Sequence, residues 1–150
     1  MSWQRLPRKK QLAMAALKSA FQGLNPYLPE GSLPLLEPLL RRYPLKLVIS
    51  KARSTKFGDY RLPGKDKVHR ISVNGNLNPY AFLITLIHEL AHLEAFEHYG
   101  ARIKPHGSEW QACYLELSQP FFEAEVFPPQ LDSAFRRHLA KGKASSASDP

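Results

Sequence analysis

A long apolar helix is the clearest structural prediction for the middle of this chain. From Asn78 onward, apolar side chains recur with the 3.6-residue period of an α-helix. Asn78 suits the N-cap position, Pro79 suits the first helical position, and Gly100 suits the left-handed residue that follows a helix. Because apolar residues occupy nearly every side of this helix, we expect it to run from about Pro79 to Tyr99 and to be buried.

Within this predicted helix, three polar residues form the pattern H-E-x-x-H. His88 and His92 differ by about 40° around the helix and about 6 Å along it, so both imidazoles can reach one Zn²⁺ at about 2.0–2.1 Å. Glu89 can then act as the general base toward a metal-activated water. So short a pattern also recurs by chance, but polar side chains in a buried helix seldom lack a bound partner. The sequence therefore predicts a zinc site suited to peptide hydrolysis.

A catalytic zinc ion usually takes a third protein ligand and leaves one position for water. His106 follows the predicted end of the helix in a loop, from which it can fold back toward the first two histidines. His98 completes the spacing H-E-x-x-H-x-x-G-x-x-H, but Ala95 replaces the glycine of that pattern, so a continuous helix turns His98 about 120° away from His92. We favour His106 over His98 as the third ligand, and Glu109 ranks third.

Two short runs carry a family resemblance: His88-Glu89-Leu90-Ala91-His92 and, after a loop, His106-Gly107-Ser108-Glu109-Trp110. They resemble the signature of the SprT-like metalloprotease family, which is H-E-x-x-H followed by a third histidine in a pattern such as H-G-x-x-W. The segments Lys51 to Gly58 and Asn76 to Pro79 also look similar to that family. The resemblance covers about Leu33 to Gln119.

This resemblance implies a small zincin-like domain with zinc ligands His88, His92 and His106 and with Glu89 as the general base. Some members of the family cleave proteins crosslinked to DNA, which implies a protein or peptide substrate without identifying it. Many members add a cysteine-ligated zinc ribbon after the protease part. Cys113 is the one cysteine of this chain, so the ribbon cannot be formed here and Cys113 is expected to be a core residue.

Upstream of the long helix, three short segments predict a sheet. Leu45 to Ser50, Phe57 to Leu62 and Val68 to Val73 are suited to strands and are separated by turn-forming residues. Downstream, Ser108 and Gln111 resemble a capping box that opens a helix to about Leu117. We expect an α+β fold in which an antiparallel three-stranded sheet packs on the long helix, with a last helix near residues 133–140.

The two ends of the chain are predicted separately. The segment Met1 to Ala20 is basic and then apolar, and its helical stripe favours an amphipathic first helix over a leader peptide. Residues 1–140 are expected to form one domain, and residues 141–150 a disordered tail. The sequence has no apolar run of about 18 residues, and its single cysteine favours a reducing compartment, so we expect a cytoplasmic protein without a membrane span.

The net charge of +8 is distributed unevenly. Basic residues concentrate between Arg41 and Arg70, whereas acidic residues dominate between His88 and Asp132. A concentrated positive segment can bind nucleic acid by neutralising phosphates. It can equally be a solvated sheet face with lysines that protect an edge strand.

These observations favour a zinc-dependent endopeptidase that acts on unfolded or DNA-associated proteins. The alternative is a nucleic-acid-associated binding protein whose metal site is structural or vestigial, and a zinc hydrolase with another substrate is a third interpretation. Trp110 is expected to pack beneath the metal loop. Tyr60, Tyr80 and Tyr99 are candidates for stabilising the oxyanion of the reaction.

Overall fold

A computed structural model describes residues 7–9, 21–53 and 55–141. The amphipathic first helix and the disordered tail were predicted almost entirely outside these ranges, so both stay predictions. After a short 3₁₀ turn at Asn25–Tyr27, the elements are as follows: α1 Leu33–Leu40, β1 Leu45–Ser50, β2 Gly58–Arg61, β3 His69–Asn74, α2 Pro79–Tyr99, α3 Ser108–Glu123 and α4 Pro129–Ala140.

The three strands form one sheet in the order β1-β3-β2. β2 pairs antiparallel with β3, with Gly58 opposite Val73. β1 pairs parallel with β3, with Leu45 opposite His69. The α+β class is confirmed, but the sheet is mixed rather than wholly antiparallel. The reason is topological: β3 is inserted between β1 and β2, and the two reversals of chain direction between β1 and β3 leave these two strands parallel.

Helix α2 is the central element of the core, and its bounds agree with the prediction. The Asn78 side chain accepts a hydrogen bond of 2.9 Å from the Ala81 backbone N–H, and Gly100 has a φ of 83°. The helix packs against β2 and β3 on one side and α3 on another. Its fully buried side chains meet the inward-facing residues of β3, and this core includes Ile71, Val73, Phe82, Leu83, Leu86 and Ile87.

Helix α3 differs from the prediction at both ends. Its N-cap is Gly107 and no side chain caps it, so the capping box of Ser108 and Gln111 is wrong. Pro120 lies within the helix, which continues beyond Leu117 because the next turn buries apolar side chains in the core. Helix α4 likewise begins earlier than expected, with a proline in its first turn. Within the described ranges, no helix has both the length and the apolarity that a membrane crossing needs.

Candidate metal centre

Helix α2 brings His88 and His92 to one face, one turn apart. Their ring centroids are 5.1 Å apart and their planes differ by 73°. Both side chains are half-buried. The geometry follows directly from the four-residue spacing on a continuous helix.

His106 reaches the same point from the loop between α2 and α3. Its ring centroid lies 5.3 Å from that of His88 and 4.8 Å from that of His92. The backbone of His106 has a φ of 59°, a left-handed conformation that is uncommon for a residue other than glycine. Gln111 supports this conformation, since its side-chain amide donates a 2.9 Å hydrogen bond to the His106 carbonyl.

The three histidines are positioned to bind a metal ion. One nitrogen from each lies within 4.8 Å of the others, and the Nε2 atoms of His92 and His106 are 3.1 Å apart. Two nitrogen ligands at about 2.0–2.1 Å in tetrahedral geometry are about 3.3–3.4 Å apart, so the observed separation is close to that of two ligands of one ion. Three imidazoles are a donor set that zinc accepts.

The two lower-ranked ligand candidates lie apart from this cluster. His98 projects from a different face of α2, is 57% exposed, and forms a 3.1 Å contact with a carboxylate oxygen of Glu94. Glu109 accepts a 3.2 Å hydrogen bond from Ser108. Among the described residues, the group able to hold a metal consists of His88, His92 and His106. The geometry agrees with the predicted ranking, although the ligand assignment itself stays a prediction.

Trp110 packs against all three imidazoles, as the sequence interpretation expected. Its ring lies 4.8 Å from His88, 5.3 Å from His92 and 4.7 Å from His106, between centroids. The indole N–H donates a 3.3 Å hydrogen bond to the His88 carbonyl. Because Trp110 is itself buried, it limits the orientations available to the three rings.

Glu89 lies beside the histidines at the edge of the sheet, and its side chain is only 5% exposed. A β-carbon built on Gly58 would lie 3.0 Å from the Oε2 atom of Glu89, which shows how closely β2 approaches this carboxylate.

Two cavities meet at Glu89. The apolar cavity, of about 280 Å³, is bounded by His88 and Glu89 and extends toward α4. The polar cavity, of about 190 Å³, extends along β2 and is bounded by Glu89, His92 and His106.

A hydrogen-bonded chain behind His92 was missed by the sequence interpretation. The Tyr60 ring lies nearly parallel to that of His92, at 6.2 Å between centroids. The Tyr60 hydroxyl is 2.7 Å from Nδ1 of His69, and Nε2 of His69 is 2.9 Å from a carboxylate oxygen of Glu97. Burial, and then the nearby Glu97 charge, raise the pKa of Tyr60 well above its ordinary value, so the hydroxyl keeps its proton.

One signal in the sequence could have revealed His69. It alternates with Ile71 and Val73 along β3, and this period-2 pattern places all three on the buried face of the sheet. A histidine at such a position needs hydrogen-bond partners. Of the three tyrosines proposed for the oxyanion, Tyr60 lies at the site, whereas Tyr80 packs against Phe127.

Two further titratable groups lie near the centre. Cys113 is buried in α3, and burial raises the pKa of its thiol, with smaller contributions from Glu94 and Glu116. At the far side of the apolar cavity, burial lowers the pKa of His138, with smaller contributions from His88 and Lys141. The His138 imidazole is therefore neutral at neutral pH.

A family model matches most of the chain. The model of a family described as SprT-like matches residues 17–130, which is well over half of the chain and includes all three histidines. No solved structure matches the chain significantly.

Proposed function

The chain belongs to the SprT-like family, and we propose on that premise that it is a zinc-dependent endopeptidase acting on unfolded or DNA-associated proteins. The observation that carries this proposal is the convergence of three imidazoles beside a buried carboxylate at the edge of a sheet. This combination of ligands, a proton acceptor and an open edge is what peptide hydrolysis requires.

His88, His92 and His106 would hold the zinc ion. When bound, the ion lowers the pKa of a water molecule to about 7 and polarises the scissile carbonyl group. Trp110 and Gln111 keep the ligands in place, through ring packing and through the hydrogen bond to the His106 carbonyl.

Glu89 would transfer the proton. Its carboxylate accepts the proton of the attacking water as the new C–O bond forms, and it delivers that proton to the amine nitrogen as the C–N bond breaks. Its burial restricts its orientation, since β2 lies close against this part of α2 at Gly58. A fixed carboxylate is more effective in proton transfer than a mobile one.

The edge strand β2 would align the substrate. β2 pairs with β3 on one side, and within the described part of the chain no strand pairs with its other side. An extended peptide can add to such an edge through backbone hydrogen bonds. The polar cavity continues from this edge to Glu89, so a peptide bound there would pass beside His92 and His106.

Replacing Glu89 by Gln tests the assignment of the general base. We expect Glu89→Gln to retain zinc and to lose hydrolysis of denatured casein by about 10²–10⁴-fold, because an amide does not accept the water proton. Glu109→Gln is the matched control, since Glu109 lies near the loop but outside the histidine cluster. Full activity in Glu89→Gln would remove Glu89 from the mechanism. Absence of hydrolysis by the wild-type protein would favour a structural metal site.

A second function, nucleic-acid binding, is supported by a row of cations on the outer face of the sheet. The strand register places Lys46 opposite Arg70, and Arg70 opposite Arg61. Arg61 and Arg70 also pair with Asp59 and Asp66, so a phosphate would compete with these carboxylates. We propose that this row contributes to DNA binding by neutralising backbone phosphates.

The salt dependence of DNA binding tests this second proposal. Three phosphate contacts predict that log K falls with log salt concentration with a slope of about −2 to −3. Lys46→Glu should weaken binding and flatten this slope, whereas the control Lys141→Glu, at the exposed residue that follows α4, should not. Equal binding by the two variants would contradict a role for the row.

A further inference from the structure

The apolar cavity beside the metal centre is not used by the chemistry described above. The wall nearest the histidine cluster includes His88 and Glu89, so a group bound at that end would lie beside a proposed metal ligand and the proposed general base. Its opposite wall is formed by α4, through Leu131, Ala134 and Phe135. The cavity therefore begins at the catalytic carboxylate and ends on a separate helix.

The lining of this cavity suits an apolar group. Besides the α4 side chains, Phe57 and Ile84 contribute apolar surface. Phe57 immediately precedes β2 and remains 44% exposed, so a large aromatic surface is available to an incoming group. Apart from His88 and Glu89, the described residues that line the cavity are apolar or uncharged. An anionic side chain would lose its hydration there and would lie near the Glu89 carboxylate, and a cationic side chain would pair with Glu89 and so neutralise the proposed general base.

The volume of the cavity sets the size of this group. A closed apolar cavity of about 150 Å³ binds benzene, and this one measures about 280 Å³. A benzyl or branched aliphatic side chain therefore fits, whereas a methyl group would leave most of the space unfilled.

The position of the apolar cavity relative to β2 indicates which part of a substrate would enter the cavity. Both cavities are lined by Glu89: the polar cavity includes the β2 residues Gly58 to Tyr60, and the apolar cavity includes Phe57, which immediately precedes β2. A peptide backbone aligned with β2 can thus direct one side chain, next to the cleaved bond, toward α4.

We propose that the apolar cavity is a substrate subsite that takes the large apolar side chain, such as Phe or Leu, of a residue adjoining the cleaved peptide bond. This inference rests on the proposed endopeptidase function and specifies its substrate class. Because such side chains are mostly buried in folded proteins, the subsite favours unfolded segments as substrates.

The first experiment measures sequence preference in the zinc-loaded protein. Cleavage sites in denatured casein are mapped by mass spectrometry, and one site is copied into two peptides that differ by Phe or Ala beside the cleaved bond. We expect kcat/KM to favour the Phe peptide by about 10- to 100-fold. Equal values for the two peptides would overturn the subsite.

Filling the cavity tests its location. Ala134→Phe places a ring in the cavity and should reduce the Phe-to-Ala ratio to about one. Ser133→Phe adds the same ring to the neighbouring position of α4, which does not line the cavity, and should keep the wild-type ratio. Thermal unfolding of both variants checks that the fold is retained. A ratio unchanged in Ala134→Phe would place the preference elsewhere.

Binding separates this inference from the endopeptidase proposal. The zinc-loaded Glu89→Gln protein is titrated by calorimetry, with and without Ala134→Phe, using two peptides of one fixed casein sequence that differ by Phe or Ala at a central position and need no mapped cleavage site. Tighter binding of the Phe peptide, lost in Ala134→Phe, would support the subsite even if the wild-type protein cleaves nothing. Equal binding of both peptides would refute the subsite, whatever the hydrolysis assay shows.

Discussion

Gly58 is the residue whose substitution best tests the packing of the candidate site. It is buried at the start of β2, where the strand approaches α2. A β-carbon at this position would lie 2.7 Å from Cγ2 of Thr85, 3.0 Å from Oε2 of Glu89 and 3.1 Å from the carbonyl oxygen of Ser72. The added methyl group of Gly58→Ala would therefore clash with the Thr85 side chain, with the proposed general base Glu89 and with the backbone of β3.

The expected cost follows from how little these neighbours can move. The Ser72 carbonyl belongs to the central strand, and Thr85 and Glu89 belong to the buried helix α2. Overpacking of this kind costs about 1–3 kcal/mol. For a domain of this size we expect the melting temperature to fall by about 3–10 °C. A displaced Glu89 should also lower kcat/KM by more than tenfold.

Circular dichroism melting and a casein cleavage assay measure the two effects of Gly58→Ala. Gly64→Ala is the matched control, since the nearest atom to its added β-carbon is Oδ1 of Asp66 at 3.9 Å. The double change of Gly58→Ala with Thr85→Ser removes the closest clash and should recover part of the stability but less of the activity. If Gly58→Ala melts at the temperature of Gly64→Ala and cleaves casein as fast, the close-packing argument is wrong.

Three further predictions concern the metal loop and the buried thiol. His106→Ala should lose zinc in metal analysis while the control His98→Ala retains it, and equal zinc content in the two would discredit His106 as the third ligand. Gln111→Glu, which removes the amide donor to the His106 carbonyl, should weaken zinc binding by about 10- to 100-fold in a competition titration; the exposed Gln119→Glu on the same helix should leave it unchanged, and equal affinities would contradict this support. Because burial raises the pKa of Cys113, its thiol should react with a disulfide reagent at pH 8 at least about tenfold more slowly in the folded protein than in guanidinium, and rapid reaction of the folded protein would contradict this assignment.

The sequence predicts helix α2 well because every signal for it is local. The cap at Asn78, the exit at Gly100 and the spacing of His88 and His92 all depend on residues within one continuous segment. The sequence also predicted where the three strands lie, but it did not predict that β1 and β3 pair in parallel. Residue alternation tells which face of a strand is buried and says nothing about the direction of its neighbour.

The surroundings of the histidine cluster could be predicted less well from the sequence, because they combine residues that are distant in the chain. The chain of Tyr60, His69 and Glu97 joins two strands to the end of α2. The apolar cavity combines residues that precede β2 with residues of α4. Composition and periodicity do not report such long-range contacts.

The position of His106 depends both on the local sequence and on contacts with residues of another helix. Its residue type and its position after the helix predicted a ligand, but not the left-handed backbone that turns the ring toward His92. A non-glycine residue with positive φ is strained unless neighbouring contacts hold it, and here Gln111 and Trp110 supply those contacts from α3. The helical histidines have fixed positions whether or not α3 is docked, whereas His106 does not. The affinity of the site for metal should therefore depend on the docking of α3 against α2.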